Sequence, residues 1–269
     1  MSVVLHISDT HFGTEQPNVV AALLQLVRQQ SPDLVVLSGD ITQRARRSQF
    51  RAAQQFVTHL AAPKTLVLPG NHDIPLFNIL MRLFCPYANY QRAFGAELEP
   101  GFESADLLVL GVNTTRASRH TDGEISDSQI TRVSRRLRMA NAEQLRLVVT
   151  HQPVHVTRLE DEKNLLHGHR EAVYTWARAG VDLVLGGHIH LPYVRPLRER
   201  FFDLPRSVWA VQAGTAVSSR LRGGIPNSVN LIGYARSSRP RRCVVARWDH
   251  DASTQRFILV EQSDIGLSG

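Results

Sequence analysis

Five short polar clusters in this 269-residue chain bring together side chains that can hold metal ions or move protons: Asp9-Thr10-His11, Gly39-Asp40, Gly70-Asn71-His72-Asp73, His151 and Gly187-His188-Ile189-His190. Asp9, His11, Asp40, Asn71, His151, His188 and His190 together offer seven oxygen and nitrogen donors. That is more than one ion of this ligand type takes from protein, and enough for two if one carboxylate bridges, with Asp40 the natural bridge. On an extended segment alternate residues point the same way, so Asp9 with His11, and His188 with His190, are each expected to present two ligands to one place. A lone histidine reads differently: His6, inside the first apolar run, is expected to be a packed or hydrogen-bonded core residue.

The clusters need elements to aim them. Six apolar runs of strand length recur, at Val3-Val4-Leu5, Leu34-Val35-Val36-Leu37, Leu66-Val67-Leu68, Leu107-Leu108-Val109-Leu110, Leu147-Val148-Val149 and Leu183-Val184-Leu185. Segments with helical spacing lie between several of them, among them Val19-Val20-Leu23-Leu24-Val27 and Phe50-Ala53-Phe56-Val57-Leu60, which predicts β-α-β alternation with buried strands. Five of these runs end in a polar cluster. In α/β folds ligands bind outside the carboxyl ends of the strands, so the clusters are expected to converge on one site. After Pro192 the texture becomes β-rich, with strand-like stretches at Val208–Val211, Val229–Ile232, Val244–Ala246 and Phe257–Val260. The expected organisation is one domain over 1–269. Residues 1–192 form its metal-ligand α/β part, and residues 193–269 a β-rich part completing the second sheet.

Composition narrows the class. With 43% hydrophobic residues and two cysteines, the chain is neither disordered nor a disulfide scaffold. No apolar run approaches the ~20 residues of a membrane helix. Membrane insertion is therefore not expected, and a start at Met1-Ser2-Val3-Val4 without a basic leader suggests a cytoplasmic protein. Cys85 and Cys243 have no CxxC spacing and are expected to be buried or idle thiols. The net charge of +7 favours anionic partners without choosing among them; only Lys64 and Lys163 are lysines, so the excess is almost entirely arginine.

Taken in order, the five clusters resemble the signature blocks of the calcineurin-like metallophosphoesterase superfamily, and they span residues 9 to 190. The resemblance implies an α/β fold, a four-layer α-β-β-α sandwich of two mixed sheets flanked by helices, with a dinuclear metal site at the carboxyl ends of the strands. It implies that Asp9, His11, Asp40 and His190 hold one ion and Asp40, Asn71, His151 and His188 the other. His72 then corresponds to the family's catalytic or phosphate-contacting histidine; adjacent to Asn71, it is expected to point away from the ligand direction and face substrate. The metals that the resemblance implies are two divalent or mixed-valence ions, Mn or Fe, with Zn or Co also compatible. Two divalent ions, two carboxylates and a bridging hydroxide leave the site near a charge of about +1, suited to a phosphate ester. The expected reaction is hydroxide attack on phosphorus, with His72 assisting the leaving alkoxide.

Gly39-Asp40-Ile41-Thr42-Gln43 lacks the second Asp and the Arg-Gly of protein serine/threonine phosphatases, and Gln43 stands near where a purple acid phosphatase has tyrosine. The pattern is most similar to bacterial class III cyclic-nucleotide and glycerophosphodiester phosphodiesterases. The leading expectation is a small diester, a 3′,5′-cyclic nucleotide first. The alternatives are a nuclease, for which +7 leaves room without favouring it, a nucleotide-lipid pyrophosphatase, for which no apolar lid or amphipathic membrane helix is evident, and a non-catalytic scaffold. Oligomeric state leaves no trace in the sequence.

Further substrate contacts are expected at Asn71, His72, Arg116 and Arg220, the last within a segment that either folds back near the site or forms a Gly-rich hairpin. Arg132, Arg135, Arg136 and Arg138 read as the solvent face of a helix, and the run Arg236 to Arg242 as an exposed turn. His155, His167 and His169 are expected to be solvated loop residues.

Overall fold

The computed structural model describes residues 1–268. Its elements run β1 (Ser2–Ile7), α1 (Pro17–Gln30), β2 (Leu34–Ser38), α2 (Arg47–Leu60), β3 (Thr65–Leu68), α3 (Ile79–Phe84), α4 (Ala88–Phe94), β4 (Gly101–Glu103), β5 (Leu107–Gly111), α5 (Asp127–Arg138), β6 (Leu145–Val149), α6 (His169–Ala179), β7 (Leu183–Gly186), β8 (Tyr193–Pro196), β9 (Trp209–Gln212), β10 (Ser228–Tyr234), β11 (Arg242–Asp251) and β12 (Arg256–Gly266). Two mixed six-stranded sheets result, ordered β12-β11-β10-β1-β2-β3 and β4-β5-β6-β7-β9-β8.

The strands read as continuous apolar runs because both of their faces are covered. Val4, Leu34, Val36 and Leu66 of the first sheet meet Val109, Leu147, Val149 and Leu185 of the second in a core between the sheets. The alternate residues Leu5, Ile7, Val35 and Leu37 pack outward against α1 and α2. Val148 and Val184 do the same against α5 and α6. The helices match their sheets by spacing: α2 buries Phe50, Ala53, Phe56 and Leu60, and α5, with Ser126 as its N-cap, buries Ile130, Val133 and Leu137. This is the expected four-layer α-β-β-α sandwich.

One expectation needs correction. Residues 193–269 do not complete only the second sheet: β8 and β9 join it, but β10, β11 and β12 extend the first, with β10 antiparallel to β1 and Asn230 opposite His6. Alternation along a strand shows that one face is buried without showing which sheet accepts its edge.

Candidate metal centre

The five clusters lie at the carboxyl ends of β1, β2, β3, β6 and β7, three from the first sheet and two from the second. Hydrogen bonds cross between the sheets at this rim. The His188 amide donates to Asp9 Oδ2 at 2.9 Å, and His151 Nδ1 donates to the Ser38 carbonyl at 2.8 Å. His6 is a buried core residue with Nε2 2.8 Å from Ser38 Oγ.

The side chains converge by a route different from the expected alternation. Asp9, His11, Asp40, His188 and His190 all have left-handed backbones, with φ of 52°, 42°, 47°, 72° and 57°. Such conformations cost non-glycine residues about 1–3 kcal/mol each and persist only where the surroundings enforce them. Here the His11 amide donates to the Asp40 carbonyl at 2.9 Å and Thr215 Oγ1 donates to the Asp9 carbonyl at 2.6 Å. Glycines make room for the crowding. A Cβ on Gly70 would lie 2.0 Å from the Asp40 amide nitrogen, and one on Gly187 would lie 1.9 Å from Ser8 Oγ. His72 likewise owes its direction to a single 3-10 turn at Asn71–Asp73 and not to strand alternation.

Three groups of donors share neighbouring space: Asp9, His11 and His190; His11, Asp40 and His72; and Asp40, His151 and His188. Asp40 connects them, with Oδ1 3.2 Å from His151 Nε2 and Oδ2 3.7 Å from His11 Nε2. Asn71 Oδ1 lies 3.2 Å from His151 Nε2. Asp9 Oδ1 lies 3.3 Å from His190 Nε2, while His11 Nε2 and His190 Nε2 face each other at 3.0 Å.

The electrostatics are those of a site built for cations. Burial opposes ionisation of Asp9 and Asp40, yet the histidines around them hold both carboxyls well below the usual range. Burial pushes His11 down to about 3 and, together with His151, His188 down to about 4. In His151 the Asp40 carboxylate overcomes burial and lifts it to about 9; Asp9 likewise raises His190. Asp9 Oδ1 and His188 Nδ1 are buried without hydrogen-bond partners, which a folded chain tolerates where an ion or proton completes the site. An all-nitrogen-and-oxygen donor set fits borderline divalent metals.

Asp73, quoted above only as the end of its cluster, proves to brace the floor. Its carboxylate accepts from the amides of Gly70, Ile41 and Thr42 at 2.9, 3.0 and 2.8 Å, and burial followed by the nearby Asp40 raises its pKa to about 6. Gln43, which in sequence is only a departure from other branches, sets the site's histidine. Its carbonyl fixes His72 Nδ1 at 3.0 Å and its Oε1 accepts from Arg220 Nη1 at 3.2 Å. Only its position after Asp40 could have pointed to this.

Arg220 folds back to the site: Nη1 lies 3.2 Å from His72 Nε2, and its carbonyl accepts from His190 Nδ1 at 2.6 Å. Arg116 is the correction. Its guanidinium donates to the carbonyls of Asn113 and Thr115 at 3.0 and 2.9 Å and to Gln129 Oε1 at 2.7 Å, so it ties its own loop to α5 instead of reaching the cleft. The open cavity over the donors, about 460 Å³, is lined by Asp40, Asn71, His72, His188, His190 and Arg220, and at its rim by Thr121, Asp122, Lys163, Asn164 and Arg222. Arg222 pairs with buried Asp161 at 2.8 Å and donates to the Ile189 carbonyl at 3.0 Å, fastening the 152–169 loop to the ligand turn. In that loop His155 is buried, contrary to expectation, under Tyr193, while His167 is exposed. Arg136 pairs with Glu103 and Arg236 with Glu143, as solvent-face residues do. Cys85 is exposed and Cys243 buried, both as free thiols.

Comparison with known proteins follows the same lines. The calcineurin-like phosphoesterase family model matches residues 2–192. A glycerophosphodiester phosphodiesterase of Enterobacter lignolyticus is 35% identical over 96 residues, covering 31% of this chain and 34% of that protein. A protein of Synechococcus named "Probable cyclic nucleotide phosphodiesterase" is 27% identical over 179 residues, covering 65% and 64%. The chain thus spans about a third and just under two thirds of these curated relatives. Among solved structures, a purple acid phosphatase from yellow lupin aligns with a TM-score of 0.74 at 12% identity over 98% of this chain and 53% of that one. A dimetal phosphatase from Danio rerio aligns with 0.67 at 13% identity over 99% of both. At these identities the likeness is one of fold.

Proposed function

Because the chain belongs to the calcineurin-like phosphoesterase family, we propose that it is a metal-dependent phosphodiesterase acting on a small diester, a 3′,5′-cyclic nucleotide first. The observation that carries this reading is the convergence of seven donors from five strand ends beneath one cavity whose volume, about 460 Å³, suits a nucleotide-sized guest. Asp9, His11, Asp40 and His190 would hold one ion and Asp40, Asn71, His151 and His188 the other, manganese or iron being the metals proposed. Such a pair supplies Lewis-acid stabilisation of the phosphoryl group and acidified water.

The remaining work falls to the chain's own residues. The Gln43 carbonyl accepts from His72 Nδ1, which leaves Nε2 as the acceptor for Arg220 Nη1 at 3.2 Å; a phosphate that draws Arg220 onto its own oxygens would free Nε2, at the cavity, to carry a proton to a leaving alkoxide. Arg220, beside His72, offers two parallel N–H groups to a phosphate and neutralises its charge. Lys163 at the rim extends that positive field towards an entering anion.

The test is hydrolysis of 3′,5′-cyclic AMP by manganese-reconstituted protein, with bis(p-nitrophenyl) phosphate as a generic diester and Asp40→Ala as the blank. Turnover of cyclic AMP well above the blank is expected. Turnover of the generic diester alone would remove the cyclic-nucleotide assignment and direct attention to glycerophosphodiesters and oligonucleotides. Turnover of neither would overturn the enzymatic reading.

A further inference from the structure

Helix α3 is inside out. Its one charged residue, Arg82, is turned inward, donating to the Pro75 carbonyl at 3.2 Å and the Arg119 carbonyl at 2.5 Å. Phe77 just before the helix, and Ile79, Leu80, Leu83 and Phe84 within it, stand 67–80% exposed. Single exposed apolar residues need no explanation, but a cluster of this kind on one short segment marks a surface that something covers.

The charge around it indicates what. Between Asp40 and Glu97 the sequence has one acidic residue, Asp73, which is buried, against Arg44, Arg46, Arg47, Arg51, Lys64, Arg82 and Arg92. Arg44 and Arg46, in the turn leading into α2, and Arg47, its first residue, are exposed, and among the described residues none is in an ion pair. This turn adjoins α3: the Arg44 guanidinium lies 5.3 Å from the centre of the Phe77 ring, and Asn89 Nδ2 reaches both the Ala45 carbonyl, at 2.9 Å, and Met81 Sδ, at 4.0 Å. The patch also reaches the catalytic cleft, since Leu76 and Arg44 line a small cavity of about 140 Å³ together with Asn71 and His72.

We propose that α3 and the Arg44–Arg47 turn seat the protein on an anionic lipid bilayer. The aromatic and aliphatic side chains enter the boundary between headgroups and acyl chains, and the arginines meet the lipid phosphates. A second copy of this chain is a poorer occupant: a two-fold interface over this patch would gather two sets of these unpaired arginines, with no exposed carboxylate in the segment to neutralise them. Contact is peripheral, since no helix among the described residues is long and apolar enough to cross a membrane. The inference goes beyond the phosphodiesterase reading and does not depend on it.

Sedimentation of the full chain with vesicles tests it without any use of catalysis. The protein should pellet with vesicles of equal parts phosphatidylglycerol and phosphatidylcholine, and at least about tenfold more weakly with phosphatidylcholine alone. F77S/L80S/F84S should weaken binding to the mixed vesicles by about tenfold or more. R44Q/R46Q/R47Q should do so without touching an apolar residue, and decides the matter if the first variant does not fold. Failure of the parent to pellet, or equal binding by parent and arginine variant, would overturn the proposal. So would a lipid-free dimer, seen by analytical ultracentrifugation, that F77S/L80S/F84S dissociates, because the helix would then belong to a second copy.

Discussion

The two ends of the parallel strands treat buried charge in opposite ways. At the amino ends, Asp182 just before β7 is fully buried, yet Arg206 at 2.7 Å, Arg241 at 3.3 Å and the Arg146 amide at 3.0 Å saturate its two oxygens. At the carboxyl ends, Asp9 is equally buried but keeps Oδ1 without a hydrogen bond, on a left-handed backbone, amid histidines that face one another. A completed ion pair locks a structure, whereas an incomplete one waits for a ligand. The difference separates a structural cluster from a functional one where residue type and burial alone would not.

Replacing Asp40 should break the carboxyl end most severely. Asp40→Ala is expected to reduce diester turnover by about 10²–10³-fold or more. Manganese, which should raise the Tm of the parent by binding the native state, should no longer do so in the variant, as a thermal melt with and without metal would show. An undiminished metal-dependent shift would remove Asp40 from the ligand set.

The amino end should respond in the other currency, stability without chemistry. Asp182→Ala leaves Arg206 and Arg241 largely buried and unpaired, at an expected cost of about 3–5 kcal/mol in urea unfolding. Turnover per folded molecule should be unchanged; a large loss of turnover with no loss of stability would reverse the contrast.

The smallest effect is expected at His155, which lies between these extremes. Both ring nitrogens are buried without hydrogen-bond partners, and burial lowers its pKa from the ordinary 6.5. The unfolded chain therefore takes up a proton there before the folded one does, so stability should decline as pH falls through about 6.5. His155→Leu should make that decline shallower in pH-dependent melts, and an identical pH profile would show that His155 is not its source.

How far the sequence could be read depended on whether a property was local. The strand runs, the helix faces and the seven donors were legible because residue type and short-range spacing determine them. The left-handed turns at Asp9, Asp40 and His188 were not: Asp and His adopt a positive φ more readily than most residues, but where they do so is decided by neighbours such as Gly70 and Thr215, distant in sequence. The pairing of β10 with β1 joins segments far apart in the chain, beyond the reach of any periodicity. Arg116 had the right strand end and the wrong direction, because an arginine in a loop goes where carbonyls are available. The apolar α3 is illegible for the opposite reason: its composition resembles that of a core helix, and only its environment shows that it faces outward.

The division of the donors between the sheets has a consequence for how the protein matures. Asp9, His11, Asp40 and Asn71 arrive on one sheet, and His151, His188 and His190 on the other. Neither half displays a complete coordination sphere until the two have docked face to face. An ion held by the proposed ligand set would therefore act as a rivet across the seam, and metal retention would report that assembly has finished. A nascent or half-assembled chain, with its halves still apart, would have no hydrolytic centre with which to attack the cell's phosphodiesters.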